Sequence, residues 1–338
     1  MKDKKSDIIA VAKAARVSPS TVSRSFNHPE LVKATTRKKI DNAVRRLGYI
    51  RNRAAQTIHG IRSGTVGLIV PTIDHTIFAE LIQSFSDAIE ELGFTILLAS
   101  HGYDLQREYA LARKMLEHRV DGMALIGTEH ATETVHLLDS QKTPTVFLWN
   151  YAEHTAFPCV GSDNYRAGWL IADHIGRLQH QNVAALFPPV SGNDRAAQRL
   201  AGVQDALASH GADLADDRLL ETPYSIDAAK AAILRLLAHG DMPSALICGN
   251  DVLAWGALHA LGKEGVRVPQ DMTVVGIGDF KGSRAFEPAL TTVRIPALQI
   301  GEKAAALIAE QIVTPQSGSQ GELVVPELVV RETCAAAL

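Results

Sequence analysis

Apolar positions in the first fifty residues recur at helical intervals. Four of them follow the i, i+3, i+4, i+7 pattern of a short amphipathic helix, namely Ile8, Val11, Ala12 and Ala15. A turn then leads to Ser18, a favourable N-cap, and Pro19, whose missing N–H costs nothing at the first helical position. We expect Val22 and Phe26 of this second helix to face inward, and a third helix to run from about residue 35 to a stop at Gly48.

From residue 65 onward the pattern changes to apolar runs of strand length, separated by amphipathic stretches. The runs read TVGLIVP, GFTILLAS, VDGMALIG, PTVFLWN, NVAALFPP, PSALICGND and MTVVGIGD. Continuous apolar strands that alternate with helices are typical of parallel sheets covered on both faces. This segment is too long for one open sheet, so the sequence predicts a small all-α helix-turn-helix head and an α/β body of two doubly wound parallel-sheet lobes. Such lobes bind ligands in the crevice beyond the carboxyl ends of their strands.

The net charge of −3 conceals a strong asymmetry along the chain. Residues 1–62 contain 15 Lys and Arg against 4 Asp and Glu, a balance of +11. The remaining residues therefore contain 19 basic and 33 acidic side chains, a balance of −14. A basic head on an acidic body indicates that the head, and not the body, binds a polyanion. The alternative is a merely solvated basic terminus, which the apolar positions of the head disfavour.

The sequence lacks the features that are typical of several classes of protein. The three cysteines are too far apart for a disulfide framework or a close-spaced zinc site; they are Cys159, Cys248 and Cys334. His101, His118 and His130 show no metal-ligand spacing, and we interpret them as surface or core histidines. There is no G-x-S-x-G, H-E-x-x-H or P-loop motif, no signal peptide, and no apolar run long enough to span a membrane. We therefore expect a cytoplasmic protein that is not an enzyme and needs no cofactor or metal.

The second helix of the head presents small hydroxyls and an arginine opposite its apolar face. These side chains are Ser18, Ser20, Thr21, Ser23 and Arg24. Hydroxyls contact phosphates or base edges, and an arginine can grip guanine O6 and N7 with two hydrogen bonds. The alternative is a purely structural three-helix bundle. The positive charge of the head favours DNA reading.

Motifs along the whole chain resemble those of the LacI/GalR family of bacterial transcription repressors. In the head they are VSPSTVSRSFN and TTRKKIDNAVRRLGYIRNRAAQ, and in the body they include GLIVP, VGSDN, RLAG, VPQDMTVVGIGD, PALTTVR and PELVVRET. FNHPELV, LASHGYDLQREYALARKML and GTEHATET further resemble the gluconate-type repressors of this family. The resemblance implies a head that binds operator DNA and a periplasmic-binding-protein-like body that senses a metabolite.

The resemblance also implies a division of the chain into three segments. We expect a helix-turn-helix domain at residues 1–50, a hinge helix and linker at 51–63, and an effector-binding and dimerisation domain at 64–338. Within this last domain the chain is expected to cross repeatedly between lobes. The expected N-lobe is about 64–162 plus 292–323, and the expected C-lobe is about 163–291 plus 324–338.

Family positions imply which residues meet DNA. Ser18, Ser20 and Arg24 occupy positions that read the major groove, and Thr21 lies among them. The implied contacts from the hinge are Asn52, Arg53, Ala55, Gln56 and Ile58. Ile58 replaces a leucine that usually wedges into the minor groove, so the depth of its insertion is an open question. Arg16 replaces a turn glycine; if its φ is positive, the cost is on the order of 1 kcal/mol.

Family positions also imply an effector site in the body. The implied residues are Phe78, Trp149, Asn193, Arg195, Arg199, Tyr224, Asn250 and Asp279. For each aromatic residue, ordinary core packing is the alternative. Gly278 stands where many relatives have aspartate, and Trp149 lies near another such position. Two nearby arginines with fewer carboxylates suit an acidic ligand, and a sugar acid such as gluconate is our best candidate.

These features together predict a homodimeric, ligand-responsive repressor of sugar or sugar-acid catabolism genes. Because no leucine-heptad tail follows Arg331, we expect assembly to stop at a dimer, which would bind a near-palindromic operator in the nucleoid. Induction is expected, with co-repression as the alternative. A neutral sugar, a phosphosugar or a purine remains an alternative effector. The rivals from other classes are a solute-binding protein without a regulatory role and a small-molecule enzyme, and no membrane partner is expected.

Overall fold

The chain folds into two compact units, which are Met1–Ser63 and Gly64–Leu338. The structure is a computed structural model. It describes residues 6–50, 62–73, 76–240, 242–315 and 320–337, without the side chains of residues 76 and 77. The predicted hinge contacts Asn52, Arg53, Ala55, Gln56 and Ile58 lie outside these residues. We describe the two units separately as the head and the body.

The head is a three-helix module with its own apolar core. Its helices are α1 (Ile8–Ala15), α2 (Pro19–Asn27) and α3 (Ala34–Leu47), with a 3₁₀ turn at Pro29–Leu31. The core consists of Val11, Ala12, Ala15, Val22, Ile40 and Ala43. The helical periodicity of the sequence therefore predicted the head correctly. Phe26 is half-buried and packs against this core.

Two turns of the head have the backbone conformations that their residues imply. Gly48 ends α3 at φ 57°, which suits a glycine C-cap. Arg16 ends α1 at φ 58° and ψ 47°, so the position does require the left-handed region. A side chain at such a position costs on the order of 1 kcal/mol relative to glycine, and this cost is present in the turn between α1 and α2.

The body alternates strands and helices as its sequence pattern predicts. Its strands are β1 (Thr65–Val70), β2 (Thr95–Ser100), β3 (Gly122–Ile126), β4 (Thr145–Asn150), β5 (Cys159–Ser162), β6 (Val183–Phe187), β7 (Leu219–Glu221), β8 (Ala245–Cys248), β9 (Thr273–Gly278), β10 (Thr291–Arg294), β11 (Glu322–Leu323) and β12 (Glu327–Val329). Its helices are α4 (Thr76–Glu91), α5 (Leu105–Glu117), α6 (Thr132–Ser140), α7 (Asn164–Arg177), α8 (Asp194–Ser209), α9 (Ile226–Ala238), α10 (Asp251–Lys263) and α11 (Ala297–Val313). In the part of the chain that is described, no helix is both long and apolar enough to cross a membrane.

Two six-stranded sheets form the body, one in each lobe. The first has the order β11-β5-β4-β3-β1-β2, and all its strands are parallel. The second has the order β12-β10-β9-β8-β6-β7, and only β12 runs antiparallel to its neighbour. Since β10 pairs with β9, the chain returns to the first lobe only after Arg294.

Alternate residues of the central strands of the first sheet enter cores on opposite faces of that sheet. In β1, Val66, Leu68 and Val70 join the core under α4 and α11, whereas Ile69 joins the core under α5 and α6. Each of these four side chains is completely buried. Burial on both faces explains why the strands read as unbroken apolar runs rather than as alternating ones.

Helices α7 and α8 of the second lobe approach each other until their backbones touch. A Cβ atom added at Gly168 would lie 2.0 Å from the carbonyl oxygen of Arg199. One added at Gly202 would lie 2.1 Å from the carbonyl oxygen of Tyr165. These two glycines therefore set the distance between the helices. They also set the position of Arg199, which lies on α8.

We predict that Gly168→Ala destabilises the body by about 1–3 kcal/mol, because the added methyl group forces α7 and α8 apart. Thermal or denaturant unfolding of the full chain measures this change. Gly262→Ala is the matched control. Gly262 also lies in a helix, but nothing would lie within 4 Å of its added Cβ. The control should keep or slightly raise the stability, and equal destabilisation of both variants would contradict the proposed contact.

Candidate functional site

The exposed side of α2 is the candidate DNA-contacting surface of the head. Ser18 caps α2, with its Oγ accepting a hydrogen bond from the Thr21 backbone N–H at 3.1 Å. Its hydroxyl also lies 2.8 Å from those of Ser20 and Thr21. Ser18, Ser20 and Arg24 are exposed, and Thr21 is half-buried. The N-cap that starts the helix thus also places a small cluster of hydroxyls at its N-terminal end.

In the body, Arg199 is the centre of a buried set of hydrogen bonds. Its side chain is 2% exposed. Its Nε donates to Asn164 Oδ1 at 2.8 Å and its Nη1 donates to the Gly249 carbonyl at 3.0 Å. Burial is the main influence on this guanidinium and lowers its pKa from the ordinary value. Arg199 therefore links the start of α7 to the turn after β8.

The same hydrogen bonds continue across the two lobes. Asn164 Nδ2 donates to Asn150 Oδ1 at 2.9 Å, and Asn150 Nδ2 donates to Asp194 Oδ2 at 2.6 Å. The N–H and the hydroxyl of Thr128 each donate to that same Oδ2 at 2.9 Å. Thr128 follows β3 and Asn150 ends β4, both in the first lobe, while Asp194 begins α8 of the second. We call this set the interlobe network, which comprises Thr128, Asn150, Asn164, Asp194, Arg195 and Arg199.

Asp194 is ionised in this network. Burial acts against the carboxylate, but Arg195 and the hydrogen bonds from Thr128 outweigh it and lower the pKa of Asp194. Arg195 approaches with its Nη1 2.9 Å from Asp194 Oδ1 and is itself buried. Its guanidinium also lies beside Gly127, where an added Cβ would be 2.8 Å from Nη1. Arg195 thus lies at the boundary between the two lobes.

Two candidate residues cap the helices that begin beside this network. Asn193 Oδ1 accepts from the Ala196 N–H at the start of α8, and Asn193 Nδ2 donates to the Tyr224 hydroxyl at 3.2 Å. Asn250 Oδ1 accepts from the Leu253 N–H at 3.0 Å at the start of α10. The Nδ2 of Asn250 is completely buried and has no hydrogen-bond partner. An amide that caps with its oxygen leaves its two N–H donors for another acceptor.

The two aromatic candidates of the first lobe are part of its core. Phe78 and Trp149 are 1% and 0% exposed, and their rings meet edge to face at a centroid distance of 5.4 Å. Trp149 has φ 77°, a strained conformation for a bulky residue, and its Nε1 donor has no partner. Core packing, which was the alternative to ligand contact, therefore explains the burial of most of the surface of both side chains. The unpaired Nε1 of Trp149 is not explained by packing.

Asp279 has different neighbours from the other candidates. Its carboxylate accepts from Arg294 Nε at 2.8 Å and from Arg331 Nη2. Both arginines belong to the later strands of the second lobe or follow them. Two cations thereby neutralise the carboxylate, and both lie outside the interlobe network. Sequence position alone did not reveal these partners, since Arg331 is 52 residues away.

Sequence reasoning missed several residues of this region. Asp194, Asn150 and Asn164 all lie at the carboxyl ends of strands or in the first residue of the following helix. The rule that ligands bind beyond strand carboxyl ends could have identified them. Tyr103 was also missed. It follows β2, has φ 63°, and is close enough to Arg195 for the cation to act on its hydroxyl.

Each of the two units matches a known protein family. Residues 7–52 match the family described as bacterial regulatory proteins, lacI family, and residues 63–328 match periplasmic binding proteins and sugar binding domain of LacI family. The HTH-type transcriptional repressor PurR of Klebsiella pneumoniae subsp. pneumoniae is 28% identical over 327 residues, which cover 96% of each chain.

Solved structures agree with this assignment. The lac repressor dimer bound to operator and the anti-inducer ONPF matches with a TM-score of 0.87 at 25% identity, covering 98% of this chain and all of that one. The transcription regulator GntR from Chromobacterium violaceum matches with a TM-score of 0.75 at 27% identity, covering 80% and 98%. Matches to both family descriptions span most of the sequence, and the chain therefore belongs to the LacI family, as a DNA-binding transcriptional repressor with an effector-binding body.

Proposed function

We propose that this repressor binds a near-palindromic operator as a homodimer and releases it when an acidic, sugar-like effector binds between the lobes of the body. A sugar acid such as gluconate is the best candidate effector. The supporting observation is an excess of buried donors over free acceptors. Arg195, Arg199, Asn250 and Trp149 offer N–H groups, while the carboxylates of the region are already taken by protein partners.

An acidic ligand fits this balance for electrostatic reasons. A buried donor without a partner costs about 1–3 kcal/mol, and a ligand rich in acceptor oxygens removes that cost. Asp194 is occupied by Thr128, Asn150 and Arg195, so it is not available to grip the hydroxyls of a neutral sugar. An arginine that faces a carboxylate forms a charge-assisted hydrogen bond, which is stronger than a neutral one.

The interlobe network suggests how ligand binding reaches the DNA. Hydrogen bonds from Thr128 and Asn150 to Asp194 join the lobes directly. A ligand that enters beside Arg195 changes the free energy of that closure. In the proposed homodimer, both lobes contribute to the interface between the subunits. A change in lobe closure therefore alters the spacing of the two α2 helices, one from each subunit. The coupling free energy of such switches is typically about 1–3 kcal/mol.

On the DNA side, the proposal rests on α2 and on charge. Arg24 is exposed on α2, and residues 1–62 carry a balance of +11. Ser18, Ser20, Thr21 and the hinge residues Asn52, Arg53, Ala55, Gln56 and Ile58 complete the proposed contacts. This activity places the protein in the cytoplasm, on the nucleoid when it occupies an operator. The curated relative reported above is named PurR, so a gluconate-type specificity belongs to the proposal.

Removal of Arg24 should weaken specific DNA binding without unfolding the head, since its side chain is exposed. We expect Arg24→Ala to lower affinity for an operator selected by the wild-type protein from random DNA by about 10–100-fold, the value of one bidentate base contact. Fluorescence anisotropy at fixed salt measures it. Arg113→Ala removes an exposed arginine of the body and should bind normally. Unchanged affinity of the Arg24 variant would remove Arg24 from the reading surface.

The effector class is tested by a thermal-shift screen with gluconate, glucose, glucose 6-phosphate and a purine base. A ligand that binds only the folded state raises the melting temperature. We expect a shift with gluconate and none with glucose at equal concentration. Arg195→Gln should lower the affinity for gluconate at least about 10-fold, since hydrogen bonds to charged groups are worth about 1.5–3 kcal/mol. Arg113→Gln, which removes an exposed arginine, should respond like the wild type, and a shift with glucose or the purine alone would refute the acidic-effector proposal.

A further inference from the structure

His101 is a buried histidine whose two ring nitrogens make no hydrogen bond of good geometry. It follows β2 directly, and its backbone N–H donates to the Val70 carbonyl at 3.0 Å. The residue is 5% exposed, and both of its ring nitrogens are buried without a hydrogen bond. Buried polar side-chain atoms in native proteins are nearly always paired, and each exception calls for an explanation. A ligand that supplies the missing partner is one such explanation.

The acidic neighbour of His101 already has another partner. Glu108 of α5 is 1% exposed, and its two carboxylate oxygens each lie 3.0 Å from His130 Nδ1. The other nitrogen of His130, Nε2, lies 3.1 Å from the Gly127 carbonyl. Glu108 and Gly127 thereby occupy both nitrogens of His130. His101 Nε2 stays 4.0 Å from the Glu108 carboxylate, beyond a hydrogen bond.

His101 also lies on a loop that approaches the candidate effector residues. Its ring centroid is 6.4 Å from that of Tyr103, two residues further along the same loop. Burial is the main reason that the pKa of the Tyr103 hydroxyl is raised above its ordinary value, while Tyr224, Arg195 and Arg199 also act on it. Since these three residues belong to the second lobe, the loop after β2 faces that lobe.

Arg195 acts on His101 directly as well. Burial is the largest influence and lowers the pKa of His101, and the charges of Arg195 and His130 lower it further. Glu108 and the Asp104 carbonyl act in the opposite direction, but the net shift is downward. The ring is therefore neutral at pH 7 before a ligand arrives. An anionic oxygen placed against it would favour the protonated ring.

We propose that His101 is a ligand-contacting residue of the first lobe, and that it binds an anionic oxygen of the effector jointly with Arg195 of the second lobe. This inference rests on the proposed acidic effector. His101 would add to the two arginines of the proposed effector site an imidazole that gains a proton when the ligand binds. Tyr103 lies on the same loop and supplies a neutral hydroxyl beside the histidine.

Proton uptake is the distinguishing consequence. If the anion stabilises the protonated ring, the pKa of His101 rises on binding, and each site takes up as much as one proton. Linkage then requires the affinity to be highest at low pH and to fall as the pH rises through the pKa of the bound state. An arginine-only site would show no such dependence between pH 6 and 8, because arginine stays charged there.

The experiment uses the full-length protein with gluconate, or with whichever acid of the thermal-shift panel stabilises it. Isothermal titration calorimetry in two buffers of different ionisation enthalpy gives the protons taken up per site. We expect uptake approaching one proton near pH 7.5 and an affinity that falls by more than about 10-fold from pH 6 to 8. Absence of uptake in the wild-type protein overturns the proposal, whatever the behaviour of variants. Stabilisation by neutral ligands alone refutes the proposed effector class and this inference with it.

Variants separate a direct contact from a structural role. His101→Gln should bind the acid at least 10-fold more weakly and abolish proton uptake, whereas Arg195→Gln should lose affinity but keep the uptake. His136→Gln is the matched control, since His136 is exposed on α6 of the same lobe. His101→Phe, which fills the buried space, serves if the glutamine variant does not fold. Wild-type affinity and uptake in either folded His101 variant would contradict the contact.

Discussion

The carboxylate of Asp194 is the interaction on which the arrangement of the body depends. It is the one member of the interlobe network that receives hydrogen bonds from both lobes, through Thr128 and Asn150 on one side and Arg195 on the other. Such a buried charge is tolerable only because all its partners are in place. Closure of the lobes therefore depends on the partners that stabilise the Asp194 carboxylate, and a ligand that competes for Arg195 acts on that closure.

Close packing within the second lobe positions the arginine side of this network. Gly168 allows α7 to touch the Arg199 carbonyl, and the start of α7 carries Asn164, which receives the Arg199 side chain. The backbone and the side chain of Arg199 are thus fixed by the same helix. A site built on two rigid helices keeps its geometry better than one built on loops, which suits discrimination between similar small ligands.

The sequence predicted the elements well because their signals are local. The three helices of the head were predicted from helical periodicity, from the Ser18 cap and from the stop at Gly48. The parallel strands of the body were predicted from unbroken apolar runs. The partners of polar residues depended on distant segments and were not predicted. Arg331 meets Asp279 across 52 residues, and His130 meets Glu108 across 22. His101 was interpreted as an ordinary surface or core histidine, because no local pattern shows whether a buried ring lacks a partner.

The interleaving of the two lobes has a consequence for synthesis on the ribosome. About 135 residues separate β5 from α11, and most of the second lobe is translated between them. At bacterial rates this takes roughly 10 s. During that time the first sheet lacks the helix that packs over α4, where Ser84 Oγ binds the Leu298 carbonyl. The nascent first lobe must therefore wait with one apolar face uncovered, while the head, complete within the first fifty residues, is already able to fold.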